Sequence, residues 1–247
     1  MKRTVRAAAV IALATSFLAG CVMNRINPDP QTIVLREQDE GEPVRIEIAA
    51  GPEWVSRTQA GPVVFNVIPQ FAVWTEDEAG RFVETLYVTG AGFGKLRHAK
   101  KQEMQSAFFA ECLPVWSARV LVSGGRLPSK ANPYPDAVTS ATPSGPATIV
   151  TALERTASPV TVYLEINKSN DANATYTEED YGWVGQPSLI YAAEIDGTSP
   201  DGAYRFALAG HGGAGDSAAR LSTGVEGFDT ALELVKEPLV LVGDAAR

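Results

Sequence analysis

The eight residues Val160-Thr161-Val162-Tyr163-Leu164-Glu165-Ile166-Asn167 constrain the fold more tightly than any other stretch of the chain. Val160, Val162, Leu164 and Ile166 fall on one face of an extended chain and Thr161, Tyr163, Glu165 and Asn167 on the other, because side chains alternate sides along a strand. That pattern predicts a half-buried strand, one face on a core and one toward solvent. Less regular runs of the same kind stand at 44–48, 63–68, 71–75, 82–88, 120–122, 148–153, 189–195, 204–209 and 239–242. Many short strands separated by Gly, Pro and Asp turns predict a mainly β chain folded as an antiparallel β-sandwich. In FAVWTEDEAGRFVETLYV two β-rich runs flank residues 76–80, and Gly80 can supply the positive φ that such a hairpin loop needs.

Helix is scarcer, with one or two short ones expected. In KKQEMQSAFFAEC, residues 100–112, Met104, Phe108 and Cys112 recur every fourth residue, which predicts an amphipathic helix stopped by Pro114. A second, shorter helix is expected over 227–235. Cys112 falls on the apolar stripe of the first helix and reads as core filler, since a reactive thiol wants exposure and positive neighbours.

The chain opens MKRTVRAAAVIALATSFLAGC: three cations, then an apolar run too short to remain as a spanning helix, then small residues. Leu18-Ala19-Gly20-Cys21 resembles the lipobox of bacterial lipoproteins, which implies a signal peptide over 1–20 and lipidation at Cys21. The polar, Pro-containing residues that follow make 21–31 the lipidated Cys and its tether, and 32–247 one β-sandwich domain. The implied location is the bacterial cell envelope, on the periplasmic face, held to the membrane through lipid on Cys21. Val22 after the Cys slightly favours the outer membrane. Losing Lys2, Arg3 and Arg6 takes a formal charge of −8 three units further negative. An acidic chain without a long basic cluster argues against nucleic acid as a partner. With Cys21 used for the anchor, Cys112 has no disulfide partner and the fold depends on its core.

Few catalytic constellations are legible. His98 and His211 stand in no metal-ligand spacing, so no metal site is expected. GHGGAGDS, residues 210–217, lacks the Lys of a phosphate loop and reads as a turn; no Gly-x-Ser-x-Gly elbow occurs. The acidic, aromatic stretch 167–183 reads as a solvated loop whose Tyr and Trp rings could face a ligand. Carboxylates such as Glu165 and Asp171 would serve a glycan-directed enzyme, but no pattern around them points to one.

Residues 127–148, LPSKANPYPDAVTSATPSGPAT, form a connection longer than compact domains usually carry. Within it Asp136-Ala137-Val138-Thr139-Ser140-Ala141-Thr142 resembles the attachment motif of covalently flavinylated bacterial proteins. There a transferase joins FMN to the last Thr through a phosphodiester. The resemblance implies Thr142 as acceptor, with Asp136, Thr139 and Ala141 as recognition positions. Ser140 stands where Gly is usual, and Pro143 holds Thr142 toward extended geometry. Two readings stay open: an ordinary interstrand connection, or a cofactor attachment site, for which Trp116, Tyr134 and Trp183 are candidate ring contacts.

PQFAVWTEDEAGRFVETLYV, LPVWSAR at 113–119 and PDAVTSATP, in that order, resemble the predicted periplasmic proteins of domain-of-unknown-function family 2271, over roughly 63–242. The resemblance implies an exported, immunoglobulin-like β domain, in some cases encoded near flavin-transfer and membrane redox proteins, and brings no catalytic mechanism. The expectation is therefore a membrane-anchored extracytoplasmic lipoprotein acting as a non-catalytic binding or scaffold module for an unknown envelope protein. The alternative is an envelope redox carrier with FMN covalently attached at Thr142, exchanging electrons with a redox partner.

Overall fold

The computed structural model describes residues 29–36, 41–60, 62–90, 109–129, 134, 139–141, 143–154, 158–198, 200–213 and 220–247. Thirteen strands appear among them in chain order: β1 (Gln31–Val34), β2 (Glu42–Ala50), β3 (Ser56–Ala60), β4 (Val63–Val67), β5 (Gln70–Asp77), β6 (Phe82–Gly90), β7 (Thr139–Ala141), β8 (Ala147–Leu153), β9 (Val160–Asn167), β10 (Leu189–Ile195), β11 (Gly202–Arg205), β12 (Ala207–His211) and β13 (Val235–Val242). They form a five-stranded sheet ordered β1-β8-β2-β13-β11, a six-stranded sheet ordered β12-β10-β9-β5-β6-β7, and the separate hairpin β3-β4. The chain is mainly β and folds as a sandwich. Its pairing is antiparallel except at two edges, where β1 runs parallel to β8 and β7 parallel to β6. Gln31, expected at the end of the tether, already pairs with Ala147.

The β5–β6 hairpin forms for the reason its sequence implies. Asp77 Oδ1 accepts from the backbone nitrogens of Ala79 (3.0 Å) and Arg81 (2.9 Å), and Gly80 takes φ +71°. That is a local side-chain brace plus the one residue free to turn left-handed.

The main core lies between the sheets, with Val44, Ile46 and Ile149 facing Phe71, Val73, Val162, Leu164 and Ile166. Here the expected half-buried strand is corrected: β9 is covered on both faces. A second apolar layer on the outer face of the six-stranded sheet packs Ala72, Trp74, Val88 and Ile190 against Phe109, Cys112, Leu113, Val115 and Trp116. Cys112 is fully buried there, as expected of a core residue.

That outer layer is helical. Residues 109–112 are helical and 100–108 lie outside the described residues, as does His98. Pro114 ends this run and also starts another, α1 (Pro114–Val122), since a missing N–H costs nothing at the first helical position. Residues 120–122, expected as a strand, are its last turn. Gly124, at φ +84°, donates to the Leu121 carbonyl and closes it. Residues 204–209, expected as one strand, are divided at buried Phe206: β11 joins one sheet and β12 the other. The expected helix over 227–235 is one 3-10 turn at Thr230–Glu233, and Val235 already belongs to β13. Within the expected turn 210–217, Gly210 and His211 end β12, and 214–219 lie outside the described residues. No described helix is long and apolar enough to cross a membrane.

Candidate functional site

Cys21, Asp136 and Thr142 lie outside the described residues. Thr139 and Ala141 begin and end β7, opposite Val88 and Gly90. The stretch is therefore more than a connecting loop, because its middle adds an edge strand to the six-stranded sheet. On the far side of Thr142, Pro143 is buried and its carbonyl accepts from Trp54 Nε1 at 3.4 Å. Trp54 is itself buried and packs 6.1 Å from the Phe71 ring. Ser144 Oγ then accepts from Gln31 Nε2 at 3.3 Å. The backbone is thus held on both sides of Thr142, by a ladder before it and by a buried indole after it.

The three candidate ring contacts separate. Trp116 is fully buried, edge-on to Phe109 at 5.7 Å and Tyr134 at 6.3 Å, with its indole nitrogen donating to Thr85 Oγ1 at 2.9 Å. It is a core residue and presents no free face. Tyr134 is half-buried and donates to the Arg126 carbonyl at 2.9 Å. Trp183, 38% exposed, sits on a 3-10 turn at Gly182–Val184.

The polar centre of the outer layer is Glu165, which β9 places directly beneath the start of α1. Its carboxylate is fully buried and accepts from Val115 N at 3.1 Å, Trp116 N at 2.7 Å and Ser188 Oγ at 2.6 Å. The first N–H groups of a helix have no intrahelical acceptor, and a carboxylate there also meets the positive end of the helix dipole. Burial nonetheless pushes Glu165 up to about 7, against the opposing pull of those three donors and of Arg119. The other end of α1 is tied down as well: Arg119 Nε donates to buried Glu76 Oε1 at 2.8 Å, which also takes the Trp74 indole N–H at 3.0 Å. Glu165 thus acts as a distant helix cap. Nothing in its sequence neighbourhood separates it from a solvent-facing strand residue.

The stretch 167–183, expected as a solvated loop, is pinned to the body. The Lys168 side chain is fully buried, donating to the Glu53 carbonyl oxygen at 2.9 Å and Glu53 Oε2 at 3.3 Å, with Asp171 Oδ1 at 3.6 Å. Asp171, raised by burial and pulled back by Lys168, accepts from Thr230 Oγ1 at 2.9 Å and Gln186 Nε2 at 3.1 Å. Tyr176 packs on Phe228 at 4.7 Å, and Phe228 on the His211 ring at 5.1 Å. Among the described residues no cluster of His, Cys, Asp and Glu could hold a metal ion. Glu165 and Asp171 are both engaged in ties between elements. No family model, curated protein or solved structure matches the chain.

Proposed function

We propose that the protein is a lipid-anchored, non-catalytic binding or scaffold module of the bacterial envelope, its immunoglobulin-like sandwich carried on a tether from Cys21. One observation carries the non-catalytic half: the described buried charged groups, Glu76, Glu165 and Lys168, and half-buried Asp171 each bridge separate elements of the fold. The anchor rests on the lipobox-like 18–21 and the basic, apolar residues before it. In vivo photo-crosslinking tests the module, with Cys21→Ser as the anchor control. The reading expects a discrete crosslinked envelope partner and release of Cys21→Ser into the soluble fraction. Retention of that variant on the membrane sinks the anchor. Loss of function in a folded Asp171→Asn variant with partner capture intact sinks the non-catalytic assignment.

The second reading, a redox carrier with FMN in phosphodiester linkage at Thr142, is favoured by a separate observation. The pairing of β7 and the Trp54–Pro143 hydrogen bond hold the described residues 139–141 and 143 that flank the acceptor position. The flavin would supply the electron transfer, and the chain position and surroundings. Flavin fluorescence of the denatured protein in a gel, after co-expression with a flavin transferase, tests it. A bright band absent from Thr142→Ala supports the carrier; a dark band beside a bright positive control removes it.

A further inference from the structure

Residue Gln31 opens β1 at one end of the sandwich, and both sheets can be followed to that end. Gln31 stands opposite Ala147, which also pairs with Ile48 near the end of β2. In the six-stranded sheet Gly90 pairs with Ala141, and Gln70 with Asn167, again at strand ends. Three hydrogen bonds bring the two sets of ends together: Trp54 Nε1 to the Pro143 carbonyl at 3.4 Å, Lys168 Nζ to the Glu53 carbonyl at 2.9 Å, and Gln31 Nε2 to Ser144 Oγ at 3.3 Å. The opposite end carries Leu153 facing Glu42, Val160 facing Asp77, and the β5–β6 turn at 77–81. The lengths of β8 and β5 put the two ends roughly 20–25 Å apart.

Covalent reach and charge together decide which end lies nearer a membrane. Gln31 follows Cys21 by ten residues, and whatever path these take they span at most about 36 Å. A lipid on Cys21 therefore keeps Gln31 within that distance of the bilayer surface, while the 77–81 turn can stand a further strand length away. The formal charge of −8 works in the other direction, because anionic headgroups repel an acidic body. Repulsion pushes the sandwich outward, and the Gln31 end is the part held back.

We propose that the sandwich stands end-on at the membrane, with the Gln31, Trp54 and Pro143 end turned toward the bilayer and the 77–81 turn pointing away. A partner embedded in the membrane meets the first end, and a partner free of the membrane meets the second. Ala141 and Pro143, which flank the candidate acceptor position, belong to the near end. The redox partner of the second reading is therefore a membrane-embedded one. The orientation rests on the reading of Cys21 as the lipid anchor and gives that anchor a direction.

The test is energy transfer from a dye on the acylated full chain to a headgroup-labelled lipid, in vesicles of phosphatidylethanolamine and phosphatidylglycerol. Glu233 is exposed at the near end, where its carbonyl accepts from Glu53 N at 3.2 Å, and Glu78 is exposed at the far turn. Glu233→Cys and Glu78→Cys each take a maleimide dye at the introduced thiol, since Cys21 is acylated and Cys112 is buried. Transfer from position 233 should exceed that from position 78 by about twofold or more. Ala172→Cys, also exposed and next to Asp171 at the near end, gives the same reading where Glu233→Cys disturbs its turn. Equal transfer from both ends would show the body lying along the membrane or tumbling, and greater transfer from position 78 would show it inverted; either overturns the proposal. Failure of the chain to float with the vesicles overturns the anchor and the orientation with it. Flotation with equal transfer overturns the orientation alone, so the two can fail separately.

Discussion

Glu165 Oε2 lies 2.7 Å from the backbone nitrogen of Trp116, so a side chain from the middle of a strand completes the hydrogen bonding at the start of α1. The bond joins two layers about fifty residues apart in the chain, where an ordinary cap would be the residue just before the helix. Leu113 holds that position and makes no side-chain cap bond.

The same arrangement sets a pH dependence. Burial raises folded Glu165 from an ordinary 4.5 to about 7, so between those values the folded state keeps a proton that the unfolded chain gives up. Its contribution to stability is complete below about 4.5 and is lost as pH rises through about 7. The unfolding free energy of the wild type, read from denaturant titrations, should therefore fall from pH 4.5 to 7 relative to that of Glu165→Gln, by an amount on the order of a few kcal/mol. Parallel profiles would mean that Glu165 is ionised throughout. Arg119 and Cys112 are the other titratable groups that interact with it.

Gly212 occupies the floor of the same cluster and leaves no room for a side chain. A Cβ there would stand 2.5 Å from Ser188 Oγ and 2.8 Å from Pro114 Cγ. Gly212→Ala should displace the Ser188–Glu165 bond or the start of α1 and destabilise by about 1–3 kcal/mol. Thermal unfolding reads this directly, and an unchanged midpoint would show that the outer layer slides away without loss.

The strands were legible where alternation is a local property: 189–195 and the hairpin around Gly80 follow from side-chain period and turn chemistry alone. The outer layer was not, because alternation reports that one face of β9 is apolar and is silent on what covers the other. With α1 laid over it, Glu165 is a buried polar residue, and Asn167 is buried where its Nδ2 donates to the Gln186 carbonyl; without those partners the same letters describe a solvent face. Residues 120–122 misled for a related reason. Three β-favouring letters carry little weight against a helix begun by Pro114 and packed through Val115, Trp116 and Val120. At the candidate attachment site the letters 136–142 carried the motif, whereas the parallel pairing of β7 and the Trp54–Pro143 bond depend on contacts about fifty to ninety residues distant in the chain.

Lys168 is the buried cation on which residues 167–171 turn. Its ammonium joins the carbonyl and carboxylate of Glu53 to Asp171. Lys168→Met keeps the aliphatic stem but leaves those acceptors without their donor. Removing one member of a fully buried pair costs roughly 3–5 kcal/mol. Because the Glu53 side chain is 35% exposed, solvent takes up part of that loss and about 2 kcal/mol is expected here. The same change removes a charge that holds Asp171 down, so its carboxyl should titrate higher in the variant. Carboxyl NMR titration of Asp171 separates this from a mere packing loss, which would leave the titration unmoved.

Cys112 gives the sharpest check on the outer layer as a closed core. Its thiol is fully buried between the 109–112 helical turn and the six-stranded sheet, 3.6 Å from Ser169 Oγ, and burial pushes it up to about 12. Reaction with an aromatic disulfide reagent needs both thiolate and access, and the native fold withholds both at pH 8. In a Cys21→Ser background, which leaves Cys112 as the sole thiol, the folded protein should release no chromophore over an hour, while the protein in guanidinium releases one equivalent at once. Gly212→Ala should make the native reaction measurable, because loosening the start of α1 opens the layer that covers the sulfur. Rapid native reaction in the Cys21→Ser protein itself would show that the helical layer opens readily, and would take with it the assignment of Glu165 as a permanently buried cap.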